Sequence, residues 1–179
     1  MNGMVFKELQ KYVEARLGAG AWQAIHKDAG LPSKPYLATD HYKDDEAVAL
    51  IGAAAGRAGK DASELLEDFG AFIAPDLIRI YRSLIPPGWS ALDLIEHTEL
   101  TIHRAVRLQT PTAEPPELKS CRVSAGEVVV TYTSRRRLCA FARGIISGVA
   151  QHYKERLAIV ETTCMLRGGE ACTITVRRV

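Results

Sequence analysis

The segment Gln109–Glu117 (QTPTAEPPE) divides this chain into two kinds of sequence. Each proline lacks a backbone donor and pushes the residue before it out of the helical region, so the segment must be an extended connection. Before it, apolar residues recur at helical spacing, as in Phe6, Leu9, Tyr12 and Val13. After it, apolar and polar residues alternate, which is the period of a half-buried strand. A chain that changes period once, at a proline-rich joint, is expected to be α+β: a helical N-terminal part, then an antiparallel sheet with its helix.

The individual elements follow from caps and breakers. Ala21–Ala29 reads as a short helix stopped by Gly30 and Pro32, and the next helix follows Asp40 through DDEAVALIGAAAGRAG. Asp61 or Ser63 can cap a further helix that Gly70 is expected to end, with Pro75 opening another over about Asp76–Ile85. Leu92–Leu108 is one more helix. Beyond the joint, Leu118–Ser124 and Val128–Ser134 form a hairpin about Ala125-Gly126. Leu138–Tyr153 reads as a helix, and Leu157–Cys164 with Cys172–Val176 as a second hairpin about Arg167-Gly168-Gly169.

Composition removes whole classes of function. With 179 residues the chain forms one domain, or one domain with two lobes. Its 23 basic and 21 acidic side chains leave a formal charge of +2, without the concentrated basic face that nucleic acid requires. No apolar run reaches the roughly 18 residues of a membrane span. The N-terminal MNGMVFKELQKY has no apolar signal region, so a cytoplasmic location is expected. In that setting the four cysteines read as thiols or metal ligands, not as disulfides. No Ser-His-Asp set, phosphate loop or paired carboxylate site stands out, and no enzymatic activity is expected.

Three features carry chemistry. Tyr132, Ser134 and Arg136 stand at i, i+2 and i+4 of an expected strand, so they share one face. Two hydroxyls and a guanidinium so placed suit one or two carboxylates, although a solvated polar face has the same pattern. His103 lies among Ile102, Ala105, Val106 and Leu108, shortly before the paired Pro115-Pro116. A neutral imidazole in apolar surroundings is a core residue or a metal ligand. His97 is polar on both sides and reads as a surface residue, as do His26, His41 and His152. Cys139 opens an expected helix while Cys164 and Cys172 face one another across a hairpin. Three such thiols are either buried side chains or zinc ligands that need a fourth partner. Cys121 has no partner in sequence and reads as a core residue.

These residues together resemble the haem nitric oxide/oxygen binding (H-NOX) domains, relatives of the sensor domain of soluble guanylate cyclase. The resemblance runs from Met1-Asn2-Gly3-Met4-Val5-Phe6 through Glu64-Leu65-Leu66-Glu67-Asp68-Phe69-Gly70 and His103, before Pro115-Pro116, to the YxSxR motif Tyr132-Thr133-Ser134-Arg135-Arg136, with Gly144 and Gly148 beyond it. It implies haem b, with His103 on the iron, Tyr132, Ser134 and Arg136 on the propionates and Pro116 pressing on the porphyrin. It implies one domain over 1–179, with a helical distal subdomain over about 1–65 and a proximal subdomain over about 66–179. Oxygen-binding members carry a tyrosine where this chain has Phe141, and Ile145, Val5 and Leu9 are likewise without a donor. The implied ligands are therefore nitric oxide and carbon monoxide, with oxygen excluded. The implied partner is a separate histidine kinase or cyclic-di-GMP enzyme. Some members hold zinc with three cysteines and a histidine, and the matching fourth position here is Glu161. Two other readings fit parts of the chain: a haem-free small-molecule module resembling the 4-vinyl reductase domain, and a zinc or thiol redox regulator.

Overall fold

The computed structural model describes residues 1–110 and 113–179, so Pro111 and Thr112 of the proline-rich joint lie outside the described residues. The fold is α+β, with seven α-helices and a four-stranded antiparallel sheet among the described residues. The chain divides into two compact units, Met1–Phe69 and Gly70–Val179.

The first unit is helical. It holds α1 (Gly3–Leu17), α2 (Ala21–Asp28), α3 (Asp44–Ala58) and the start of α4 (Ala62–Ile80). Asn2 caps α1 by accepting the Met4 N–H at 2.8 Å. Asp44, Asp45 and Glu46 in the first turn of α3 complement its dipole. Phe6 stacks on Tyr36 with ring centroids 4.4 Å apart, and Trp22 meets His26 edge-on at 4.8 Å. The sequence places His26 at the surface, whereas the fold leaves it 1% exposed. It points inward because the apolar face of α2, with Trp22 and Ile25, carries it there.

The second unit holds the rest of α4, α5 (Ala91–His97), α6 (Arg104–Gln109), β1 (Glu117–Ser124), β2 (Glu127–Thr133), α7 (Cys139–Tyr153), β3 (Leu157–Thr163) and β4 (Cys172–Arg178). The strand order is β1-β2-β4-β3. Every second residue of β2 and β4 is buried: Val128, Val130 and Tyr132, then Cys172, Ile174 and Val176. With Leu92, Leu94 and Ile95 of α5 and Ile146 and Val149 of α7, Val128, Val130, Ile174 and Val176 form one hydrophobic core.

Two helix boundaries differ from the sequence reading. Gly70 does not end a helix and Pro75 does not begin one, because α4 runs through both. Asp61 caps it by accepting the Glu64 N–H at 2.8 Å. Gly70 is kept inside the helix by packing, since a Cβ there would lie 2.3 Å from the Phe141 carbonyl oxygen and 2.8 Å from the Ile145 nitrogen of α7. The carbonyl of Ala71, which Pro75 leaves without its usual helical donor, lies against Gly148. Leu92–Leu108 is likewise not uniform. Glu99–His103 forms a π-helical turn between α5 and α6, in which the His103 N–H reaches back to the Thr98 carbonyl at 3.0 Å.

Two outcomes follow. Gly70→Ala gains up to ~1 kcal/mol in helix propensity, but the overlap is with backbone that cannot step aside and costs about 1–3 kcal/mol. A lowered melting temperature is therefore expected, and an unchanged or raised one would show that the α4–α7 crossing has slack. His26 makes no well-formed hydrogen bond from either ring nitrogen. Burial pushes its pKa below 6.5 and Lys34 adds to this, while the Pro32 backbone and Glu46 oppose it. The native state thus binds fewer protons than the unfolded chain, so stability is full above about pH 6.5 and declines as pH falls below it. Melting curves between about pH 7.5 and 5.5 should show that decline, with a shallower slope in His26→Phe.

Candidate functional site

His103 sits at the C-terminal end of the π-helical turn, an irregularity that shifts the side-chain phase of a helix and recurs at functional sites. Its side chain is 15% exposed. Nδ1 lies 3.1 Å from the Glu99 carboxylate, one turn earlier. Desolvation lowers the His103 pKa against the opposing pull of Glu99 and of the Pro116 backbone, so the ring is neutral at pH 7. Glu99 is itself shared. Its Oε2 also accepts the Leu118 N–H of β1 at 3.1 Å, and its Oε1 pairs with Arg107. Burial raises the Glu99 carboxyl, but the bonds from His103, Leu118 and Arg107 outweigh burial and hold it below the usual carboxylate range.

Tyr132, Ser134 and Arg136 are brought together, though not by strand alternation. β2 ends at Thr133, and residues 134–137 form a turn in which Arg137 adopts a left-handed φ of 51°. The Ser134 hydroxyl hydrogen-bonds Tyr132 and accepts the Arg136 N–H at 3.2 Å. A hydroxyl that can satisfy its own backbone favours a turn over a continued strand. Tyr132 is 3% exposed, and burial above all pushes its hydroxyl pKa up to about 12. Arg136 donates to the Glu114 carbonyl at 2.7 Å, and its guanidinium and that of Arg135 both face the Glu114 carboxylate, at 3.5 and 2.6 Å. Pro116 is half-buried between Glu114 and Leu118 in sequence and close enough to touch the His103 ring through its backbone.

Phe141 and Ile145 lie one turn apart on α7, both half-buried, and their backbone faces Gly70. In the first unit, Leu9 is 1% exposed and Val5 is half-buried. His97 is 42% exposed in its side chain and lies tilted against Trp89 with ring centroids 5.0 Å apart, which agrees with a surface role.

The three thiols also converge. Cys139, Glu161, Cys164 and Cys172 place their ligand atoms within 4.8 Å of one another, with the Cys139 and Cys164 sulfurs 3.5 Å apart. All three cysteines are buried. Burial, and then contact with the neighbouring thiols, pushes the Cys139 pKa up to about 12, so it is a neutral thiol in this state. Glu161 has a side chain 7% exposed. Arg143 and Arg167 pair with its Oε2 at 3.0 and 3.3 Å, while Oε1 is buried with no hydrogen-bond partner. Cys121, expected in the core, is exposed, because it lies on the outward face of the edge strand β1.

Comparison with known proteins decides the family. Residues 2–161 match the model of the haem-NO-binding (HNOB) family. The chain belongs to the haem-NO-binding family. Among solved structures, an H-NOX protein of S. oneidensis in the Fe(II)NO state shares 23% identity at a TM-score of 0.92, over 100% of this chain and 99% of that one. The same organism's H-NOX domain in the Fe(II)CO state gives 22% and 0.89, over 100% and 99%. An unliganded Fe(II) H-NOX protein of K. algicida gives 18% and 0.86, over 100% and 97%. At such identities the likeness establishes the fold. No curated protein gives a match. Membership in the haem-NO-binding family supports a haem-based gas-sensing role. Among the described residues no helix is long and apolar enough to cross a membrane.

The family pattern leaves several participants unnamed. Glu99, Arg107 and Glu114 carry no motif, and only the i, i+4 spacing of Glu99 and His103 on a helix could have pointed to one of them. Arg143 at the thiol cluster reaches Glu161 from α7, a contact that sequence spacing does not reveal.

Proposed function

We propose that this chain is a haem b sensor that binds nitric oxide and carbon monoxide, excludes oxygen, and regulates a separate histidine kinase or cyclic-di-GMP enzyme. The observation that carries this reading is the state of His103. The ring is half-buried and neutral, and its Nδ1 is occupied by Glu99, so Nε2 is the nitrogen offered to a metal. The donor group Tyr132, Ser134 and Arg136, already tied together and already facing a carboxylate from Glu114, suits the two acid groups of haem. Pro116, rigid and beside the His103 ring, is the residue assigned to press on the porphyrin.

Haem, when bound, would be held at its iron by His103 and would supply a ferrous centre able to take a diatomic gas. The chain's own residues then set selection. Val5, Leu9, Phe141 and Ile145 offer no hydrogen bond, and oxygen depends on such a donor far more than nitric oxide or carbon monoxide does. The π-helical turn interrupts the regular helix at the segment bearing His103, which fits a two-state element biased by ligand. Relatives in the Fe(II)NO and Fe(II)CO states support the choice of gases.

A second reading concerns zinc. The cluster Cys139, Cys164, Cys172 and Glu161 has the donor set of a tetrahedral site whose sulfurs would stand about 3.8 Å apart. The unpartnered Oε1 of Glu161 is the fourth ligand in this reading, while Arg143 and Arg167 hold the other oxygen. Because burial keeps Cys139 and Cys172 neutral, loading zinc would release protons and tighten as pH rises.

Absorption spectra test the first reading. A Soret band should be unchanged by air in the ferrous protein and shift under carbon monoxide and nitric oxide, and His103→Ala should lose haem unless imidazole is supplied. A colourless protein after hemin reconstitution would remove the reading. For zinc, metal analysis should find one equivalent. A thiol reagent should then titrate Cys121 alone until a chelator is added, and Glu161→Ala should lower zinc retention about 10–100-fold. A chain without metal, or Glu161→Ala with undiminished retention, would leave three buried thiols.

A further inference from the structure

The Glu99 carboxylate stands at a junction that the family pattern does not describe. One oxygen, Oε2, receives both the His103 Nδ1 hydrogen at 3.1 Å and the Leu118 N–H at 3.1 Å, while Oε1 receives Arg107. These groups come from three elements: the π-helical turn, β1 and α6. Glu99 is 19% exposed in its side chain and Arg107 is 41% exposed.

We propose that Glu99 is a positioning residue that sets the strength of His103 as an iron ligand, and that Arg107 moderates it. The proposal rests on the haem reading above. Its physical basis is the hydrogen bond on the far side of the ring. A carboxylate accepting from Nδ1–H leaves more electron density on Nε2 and makes it a stronger donor, besides fixing its tautomer and orientation. A lone carboxylate would push this far. Here two of its lone pairs are engaged by the Leu118 N–H and the Arg107 guanidinium, so the push is reduced. The ligand is thereby tuned between a neutral-acceptor imidazole and one approaching imidazolate.

The same junction couples the ligand to the donor turn. Leu118, which shares Oε2 with His103, is the register partner of Tyr132 on β2. A displacement of His103 that carries Glu99 with it takes the carboxylate away from the Leu118 N–H, opposite Tyr132, whereas one that breaks the His103–Glu99 bond leaves Glu99 on Leu118.

Resonance Raman spectra of the ferrous, haem-loaded protein test this. Glu99→Gln keeps the shape but replaces a charged acceptor by a neutral one, so the iron–histidine stretching frequency should fall. Haem transfer to an apomyoglobin trap should be about tenfold faster. Arg107→Ala removes the moderating charge, so the frequency should rise. Shifts of opposite sign sustain the proposal, and any other pattern overturns it, because loss of a merely structural contact would not move the two variants apart. If Glu99→Gln fails to fold or to hold haem, Arg107→Ala decides alone: a rise sustains the proposal and anything else overturns it. Failure of the underlying reading looks different, since His103→Ala would then keep its haem and an unchanged spectrum.

Discussion

An imidazole has two nitrogens, and a metal can take only one of them. The other must find an acceptor or the ring is left to choose its own orientation, and inside a protein that choice is costly to leave open. In this chain the acceptor is Glu99, placed one helical turn before His103 and held in turn by Leu118 and Arg107. Much of the second unit can be read as the support of that arrangement. The π-helical turn places Glu99 and His103 on one side, and β1 passes close enough for its Leu118 N–H to reach the carboxylate.

Close backbone approach is the second constraint. Gly70 against the Phe141 carbonyl, and Gly148 against Ala71 and Ala74, leave no room for a β-carbon on either helix. Such contacts fix the separation of α4 and α7 to within a few tenths of an ångström. They therefore fix where Phe141 and Ile145 stand along α7. Small residues here are a packing requirement, and the helix accepts the low propensity of glycine and the missing donor of Pro75 in exchange for proximity.

The sequence made the class of fold legible because the change of period at the proline-rich joint is a physical property of strands and helices and needs no partner to be visible. The α+β order, the hairpins and α7 all follow from it. Gly70 and Pro75 misled for a reason equally physical: locally they break helices, and only a neighbouring helix at contact distance turns the glycine from a terminator into a packing residue. His26 was unreadable in the same way, since polar neighbours in sequence, Lys27 and Asp28, say nothing about which way a helix faces. The site was legible where side chains have a fixed relation along the chain, as in Tyr132, Ser134 and Arg136, although a turn and not a strand presents them. It was illegible where partners come from elsewhere, as with Leu118 on Glu99 and Arg143 on Glu161.

Tyr132 gives these separate features a common member. Its register neighbours are Leu118 on one side, whose N–H is held by Glu99, and Cys172 on the other, which belongs to the thiol cluster. It is packed in one small core with Cys139, Cys164, Cys172 and Met165. The phenol is buried, and a negative charge at Cys139 or Cys172 raises its pKa further. A change in the charge of the thiol cluster is thus felt at the hydroxyl of the donor turn, across a single strand pairing. A displacement of His103 that carries Glu99 with it would reach the same residue from the opposite edge through Leu118. Leu118 and Cys172 flank one side chain, and this makes the row Leu118–Tyr132–Cys172 a continuous physical connection between an imidazole and three thiols that the sequence holds far apart.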